Sequence, residues 1–211
     1  MKIITPKIPN DLPLRNFNDI FYEEYPELDM CTINDADFEK KELHKVNLSA
    51  MVIKNCRFNE TDFTNISMTD VHFENCDFSN ANLSKSSIHR TTFNNCKFVG
   101  VDFTDSRIGN VLFEESILNL SAFGNSKLEK VQFQNASLES SDFYECLFKK
   151  VEFNACNINS SNFERTPLKT VDISSSTFES LILSLEDLKG CKVSTHQAIQ
   201  FAALLGLVIV E

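Results

Sequence analysis

Residues 91–115 read TTFNN CKFVG VDFTD SRIGN VLFEE. The third residue of each five is large and apolar: Phe93, Phe98, Phe103, Ile108 and Phe113. The first is small: Thr91, Cys96, Val101, Ser106 and Val111. The register extends in both directions without a slip. From Ile33 to Leu188 every fifth position, 32 in all, holds one of sixteen Phe, nine Leu, six Ile or a single Met. Two residues before each beat, 28 of the 33 positions from Cys31 to Cys191 are Ser, Cys, Val, Ala or Thr, and all seven cysteines are among them. A period of five is neither helical nor that of a plain strand. It marks a repeat architecture, in which each unit buries its apolar face against its neighbours.

The beat also divides the chain. Residues 1–30 do not keep it and carry Pro6, Pro9, Pro13 and Pro26, so they are expected to cap the open N-terminal end of the core. Residues 31–190 form the solenoid. The misfits at the small position are Lys41, Met51, Ile66, Leu181 and Glu186, four of them near the ends of the stack. In residues 191–211, Ser194 or Thr195 is placed to cap a helix through HQAIQFAALLG that Gly206 stops, and 207–210 reads as a short strand.

Net charge is −10 over 211 residues, which runs against counterion release on DNA and against an anionic membrane surface. No apolar run approaches the length of a membrane span, and KIITPKIPN after Met1 has no signal-peptide core. A cytoplasmic protein with reduced thiols is expected. No nucleophile–base pair, phosphate-cradling glycine loop or metal-ligand spacing occurs, so neither enzymatic activity nor a cofactor or metal is expected. Cys56, Cys76 and Cys96 recur at intervals of twenty residues at the small inward position, without a histidine. If residues twenty apart stack, a spacing of about 4.8 Å exceeds the roughly 3.8 Å Cβ separation of a disulfide, so they read as buried filler. Asn55, Asn75, Asn95 and Asn135 read as a structural amide ladder.

The units ADF (36–38), TDF (61–63), ANL (81–83), VDF (101–103), SDF (141–143) and SNF (161–163) resemble the signature A(D/N)LXX of pentapeptide-repeat proteins. The resemblance implies an all-β solenoid, a right-handed quadrilateral β-helix with four pentapeptides to a coil. The ending STHQAIQFAALLGLVIVE (194–211) is similar to the tails of the quinolone-resistance group of that family, Qnr and MfpA, and most of all to the chromosomal Qnr of enterococci. That likeness implies a homodimer that imitates duplex DNA and binds DNA gyrase, and topoisomerase IV with it, protecting the enzyme from quinolones. Many Qnr proteins carry loops that interrupt the repeat. The unbroken register here leaves no room for one, as in MfpA.

With twenty residues to a coil, outward charges sort by face. The Phe63 face, with Asp102, Asp105, Asp142, Glu145 and Glu164, sums to −4; the Phe93 face, with Glu114, Glu115, Glu152 and Asp172, also to −4. The Phe58 face sums to −3 and the Ile88 face to +4. A body of roughly 36 Å matches a length of duplex carrying about 21 charges, so the mimicry is about half-strength in charge and depends on shape. The nine carboxylates named are the candidate partner contacts, and no direct binding of nucleic acid or membrane is expected. Ile199, Phe201, Leu204, Leu205, Val208 and Val210 are the candidate dimer interface.

Overall fold

A backbone that turns a square corner every five residues needs a residue at each corner that takes the left-handed conformation. The structure, a computed structural model describing residues 2–22, 26–204, 206–208 and 210, shows this corner at every fifth residue from Met30 to Thr170. Values of φ run from 43° at Met30 to 73° at Thr170, with Gly100 at 69°. Four corners make one coil of twenty residues, and the coils stack in parallel. Strands β1 (Glu27–Asp29) and β2 (Thr32–Asn34) both pair with β3 (Asn47–Lys54). β4 (Ser67–Glu74), β5 (Ser87–Asn94), β6 (Arg107–Glu114), β7 (Lys127–Gln134) and β8 (Leu147–Asn154) follow in order. Each strand from β3 to β8 bends across a corner and covers two faces. Residue i lies beside i+20 throughout, as in Phe73↔Phe93 and Phe93↔Phe113. The other two faces pair in the same register through single bridges such as Asp62↔Asn82 and Arg57↔Asp77.

The fivefold beat fills the interior. Phe73, Phe93, Phe113, Phe133 and Phe153 stack at ring separations of 5.0, 5.0, 5.1 and 5.0 Å. Phe103, Phe123, Phe143 and Phe163 stack alongside at 4.8, 4.8 and 5.1 Å, and edge-to-face contacts such as Phe93–Phe98 at 5.0 Å join the columns. Burying each ring contributes roughly 1.5–3 kcal/mol, and the ring–ring geometry adds to that. The small inward residues also solve a hydrogen-bonding problem. Their hydroxyls donate to carbonyls 23 residues earlier: Ser126 to Phe103, Ser141 to Leu118 and Ser161 to Leu138, each at 2.8 Å. Cys146 and Cys156 thiols donate in the same way, to Phe123 at 3.0 Å and Phe133 at 3.3 Å. The Asn ladder forms as read, Asn75 to Asn55 at 3.2 Å and Asn95 to Asn75 at 2.8 Å. Glu115 interrupts the column before Asn135.

The two ends are closed differently. A 3-10 turn, Phe17–Tyr22, places Phe17 fully inside the core, 4.6 Å from Phe38 and 5.1 Å from Phe58. At the other end α1 (Thr195–Leu204) is capped reciprocally: Gln197 N–H donates to Ser194 Oγ at 3.2 Å and Ser194 N–H to Gln197 Oε1 at 2.9 Å. The Gln197 amide then donates to the carbonyls of Ile173 and Ser176, both at 2.8 Å, covering the last open coil.

Three features depart from the sequence reading. Residues 2–7 do not sit over the first coil, which the chain joins at Pro13, whose carbonyl accepts from Thr32 N–H at 2.9 Å. They run outside along one corner, with Lys7 N–H on Asp70 at 2.9 Å and Ile4 N–H on Asn110 at 3.2 Å. The square corner is missed at Ser175, Ser180 and Leu185 and returns at Gly190, φ 83°, although the beat continues unbroken to Leu188. There the inward slot falls to Glu186, which stays exposed, and buried Asp187 takes its place by accepting from Ser184 Oγ at 2.6 Å and Arg165 N–H at 3.3 Å. Finally, Leu207, Val208 and Val210 form no strand. Their backbone has no β-bridge among the described residues, since the apolar tail lies beyond the last coil.

The ring stack predicts a large cost for a hole in its middle. Phe113→Ala is expected to lower stability by about 3–5 kcal/mol, read as a lowered midpoint in chemical denaturation with the dichroism of the folded state unchanged.

Candidate partner-binding faces

Where the outward residue just before an inward beat is the Asp or Asn of the repeat, its first task is local. Its side-chain oxygen accepts the N–H two residues on: Asp62 from Thr64 at 2.9 Å, Asp102 from Thr104 at 2.8 Å, Asp142 from Tyr144 at 3.1 Å and Asp172 from Ser174 at 3.0 Å. These Asx turns build the corner. The Ser174 hydroxyl and N–H hold the Asp172 carboxyl below the usual carboxylate range. In Asp102 only one carboxylate oxygen is engaged among the described residues.

Most bases on the acidic faces are taken up by carboxylates one coil away. Lys54 meets Glu74 at 2.7 Å, Lys40 meets Glu60 at 3.7 Å, Lys97 meets Asp77 at 3.9 Å, Arg165 meets Glu145 at 2.7 Å, and Arg57 bonds Asp37. Exposed pairs like these add little stability, but they decide which charges are left over. Of the nine nominated carboxylates, Glu145 is paired to Arg165; Glu114 accepts from Gln134 at 3.1 Å and Glu152 from Gln132 at 2.7 Å. Asp142 also accepts from Asn162 at 2.9 Å. Asp105, Glu115 and Glu164 make no hydrogen bond or ion pair through their carboxylates among the described residues, and all three are exposed.

The Ile88 face keeps its basic character. Lys149 pairs with Glu129 at 2.7 Å and Arg90 grips Asp70 through two bonds of 2.6 Å. Lys2, brought down by the N-terminal arm, lines the same groove as Lys130 and Lys150. The buried thiols are inert: burial pushes Cys31 and Cys156 up to about 11 and Cys146 up to about 12. No cluster of three or more metal-ligating side chains occurs among the described residues. No helix is long and apolar enough to cross a membrane.

The sequence itself matches the family profile described as a pentapeptide repeat region, over residues 66–143, 86–163 and 126–198. The chain belongs to the pentapeptide-repeat family. No curated protein matches it. Among solved structures, a trypsin-treated variant of QnrB1, a plasmid-mediated fluoroquinolone resistance protein, is similar at a TM-score of 0.48 and 19% identity, covering 85% of this chain and 90% of that one. Full-length QnrB1 gives 0.37 at 13% identity, covering 83% and 100%. HetL, a pentapeptide repeat protein involved in heterocyst differentiation regulation in the cyanobacterium Nostoc sp. strain PCC 7120, gives 0.29 at 12% identity, covering 80% and 90%.

As in the rest of this pentapeptide-repeat chain, the C-terminal residues divide between core and surface. Phe201 is buried against Phe178, ring centres 5.3 Å apart, and so serves its own protomer's core rather than an outer surface. Ile199 is 47% exposed, Val208 88% and Val210 85%. Leu204 ends α1, and its side chain, like all of Leu205, lies outside the described residues.

Asp70 is the ionisable residue that sequence reading passed over. It ties Arg90 and the N-terminal arm to the same corner. The Arg90 bonds, opposed by partial burial and joined by the Lys7 N–H, hold its carboxyl below the usual carboxylate range. A depressed carboxylate stabilises the fold above its unfolded pKa, and that contribution is lost as pH falls through the folded value. Asp70→Asn is therefore expected to be less stable than the parent at pH 7, with the difference shrinking as pH falls through the lowered folded value of Asp70. The same variant should be cut faster by protease within residues 2–13 at neutral pH. Melting curves across pH and a digestion time course check both.

Proposed function

We propose that this chain is a DNA-mimicking protein that binds DNA gyrase, and topoisomerase IV with it, and protects the enzyme from quinolones. It works in the cytoplasm by binding and performs no catalysis. The observation that carries the reading is a rigid stack of coils with three carboxylate-bearing faces, on which Asp105, Glu115 and Glu164 are unpaired among the described residues. An enzyme groove built to accept phosphates would receive such a surface without the sugar–phosphate chain. The resemblance of the tail at 194–211 to the quinolone-resistance group, the enterococcal chromosomal Qnr proteins in particular, supplies the identity of that enzyme. The continuous corners from Met30 to Thr170 leave no inserted loop, so any protection must come from the faces themselves.

A second reading is a scaffold for a different protein. Its support is that Asp102, Asp142 and Asp172 all build Asx turns, so part of the acidity serves the fold. A supercoiling and cleavage assay with added protein and ciprofloxacin separates the two. Inhibition of supercoiling or rescue from drug-induced cleavage supports gyrase; recovery of another cytosolic protein with no effect on gyrase supports the scaffold. Under the gyrase reading, the triple variant Asp105→Asn, Glu115→Gln, Glu164→Gln should bind about tenfold more weakly at low salt and show a shallower salt dependence.

The exposed Ile199, Val208 and Val210 support a homodimer joined tail to tail. Val208→Asp with Val210→Asp should sediment as a monomer while melting like the parent. A sedimentation coefficient unchanged from the parent would exclude this arrangement.

A further inference from the structure

We propose that Ile117 and Leu120 form the apolar anchor of the docking surface, received by an apolar socket rimmed with basic side chains on a partner protein. The proposal rests on the gyrase reading and adds to it a contact that charge does not supply. Leu120 is out of place by every rule of its own fold. It occupies a left-handed corner at φ 61° and is 63% exposed. The other non-glycine corners are polar or charged except Met30, Ala50 and Ala155. An Asn or Asp lowers the cost of that conformation through local hydrogen bonds; a leucine has none to offer. Exposed as it is, it gains little from the core either.

Ile117, on the same face, is 40% exposed. It stands in an outward column directly between Lys97 and Ser137, where the coils on either side are polar. In the preceding coil the corner beside Leu120 is Gly100, at φ 69°, where an added Cβ would lie 2.6 Å from Asn80 Oδ1. The surface next to the leucine is thereby kept low. No charged residue occurs from Ser116 to Ser126. Around this gap lie Asp102, Asp105 and Glu115 on one side and Glu139 and Asp142 on the other, none of them in an ion pair among the described residues. Lys97, the base in the same column, faces Asp77.

An apolar knob inside a ring of carboxylates has the anatomy of a binding hot spot, a desolvated centre with a polar rim. Charge selects the occupant. A second copy of the chain would bring the same carboxylates against themselves, and nucleic acid would be repelled. A protein socket with lysine or arginine at its edge satisfies both parts.

The test uses the full chain and gyrase holoenzyme. Leu120→Asn with Ile117→Thr introduces residues that already occupy equivalent places at Asn80 and Thr177. This variant should keep or raise the melting temperature, bind gyrase at least tenfold more weakly, and retain the parent's salt dependence. Asp105→Asn with Asp142→Asn should instead flatten the salt dependence. Should the first variant fold poorly, Leu120→Ser, matching Ser140 and Ser160 in the same column, gives the same readout. Binding by the folded Leu120 variants within twofold of the parent overturns the anchor and leaves the gyrase reading standing. Absence of binding by the parent removes the gyrase reading and the anchor with it.

Discussion

The left-handed corner is the constraint on which this structure depends. An L-residue held at φ near +55° costs of the order of 1–2 kcal/mol, and the chain accepts that conformation at every fifth residue from Met30 to Thr170. Local Asx hydrogen bonds within a pentapeptide recover only part of the cost. It is offset because each corner turns the next apolar residue inward, where the rings of one coil meet those of the next at about 5 Å, and because each coil's backbone pairs with its neighbour. The coils are therefore stable as a stack and not singly.

That constraint assigns the polar residues their places. Asn and Asp beside the corners satisfy backbone N–H groups, small hydroxyls inside satisfy carbonyls, and thiols fill the same slot protonated. The acidity of the outer surface is in part a by-product of this chemistry. A face built from Asx turns carries carboxylates whether or not a partner exists. What distinguishes a binding surface from that background is departure from the repeat: Glu115, unpaired among the described residues, standing between Asn95 and Asn135 in the column of the asparagine ladder, or a leucine where the geometry favours asparagine.

The ends show what the repeat cannot supply. A stack of identical coils exposes apolar edges at both ends, and each is covered by its own groups. Phe17 enters the core at the first coil; at the last, the Gln197 amide bonds the carbonyls of Ile173 and Ser176, the Gln200 amide bonds that of Phe178, and Phe201 packs on the Phe178 ring. The N-terminal arm covers no end. It follows a corner through contacts to Asp70 and Asn110, more than 60 and 100 residues away in the chain.

The sequence alone determined the fivefold beat and which residues of each unit point inward, because a strict period places every residue relative to its neighbours by local geometry; the resemblance to pentapeptide-repeat proteins implied the square coil of twenty residues, from which the columns and the sorting of charge among four faces followed. The sequence read the Asn ladder and the inert cysteines for the same reason. Only the tertiary structure decided where the N-terminal arm lies, that the corners lapse between Thr170 and Gly190 while the beat runs on, that Phe201 packs on Phe178, and which carboxylates are left without a partner among the described residues. Each of these turns on contacts between segments with no periodic relation: an arm and a distant corner, a buried Asp187 replacing Glu186, a ring meeting Phe178, a base one coil away. Periodicity carries information only as far as the repeat extends, and pairing between coils is settled by side-chain reach in three dimensions.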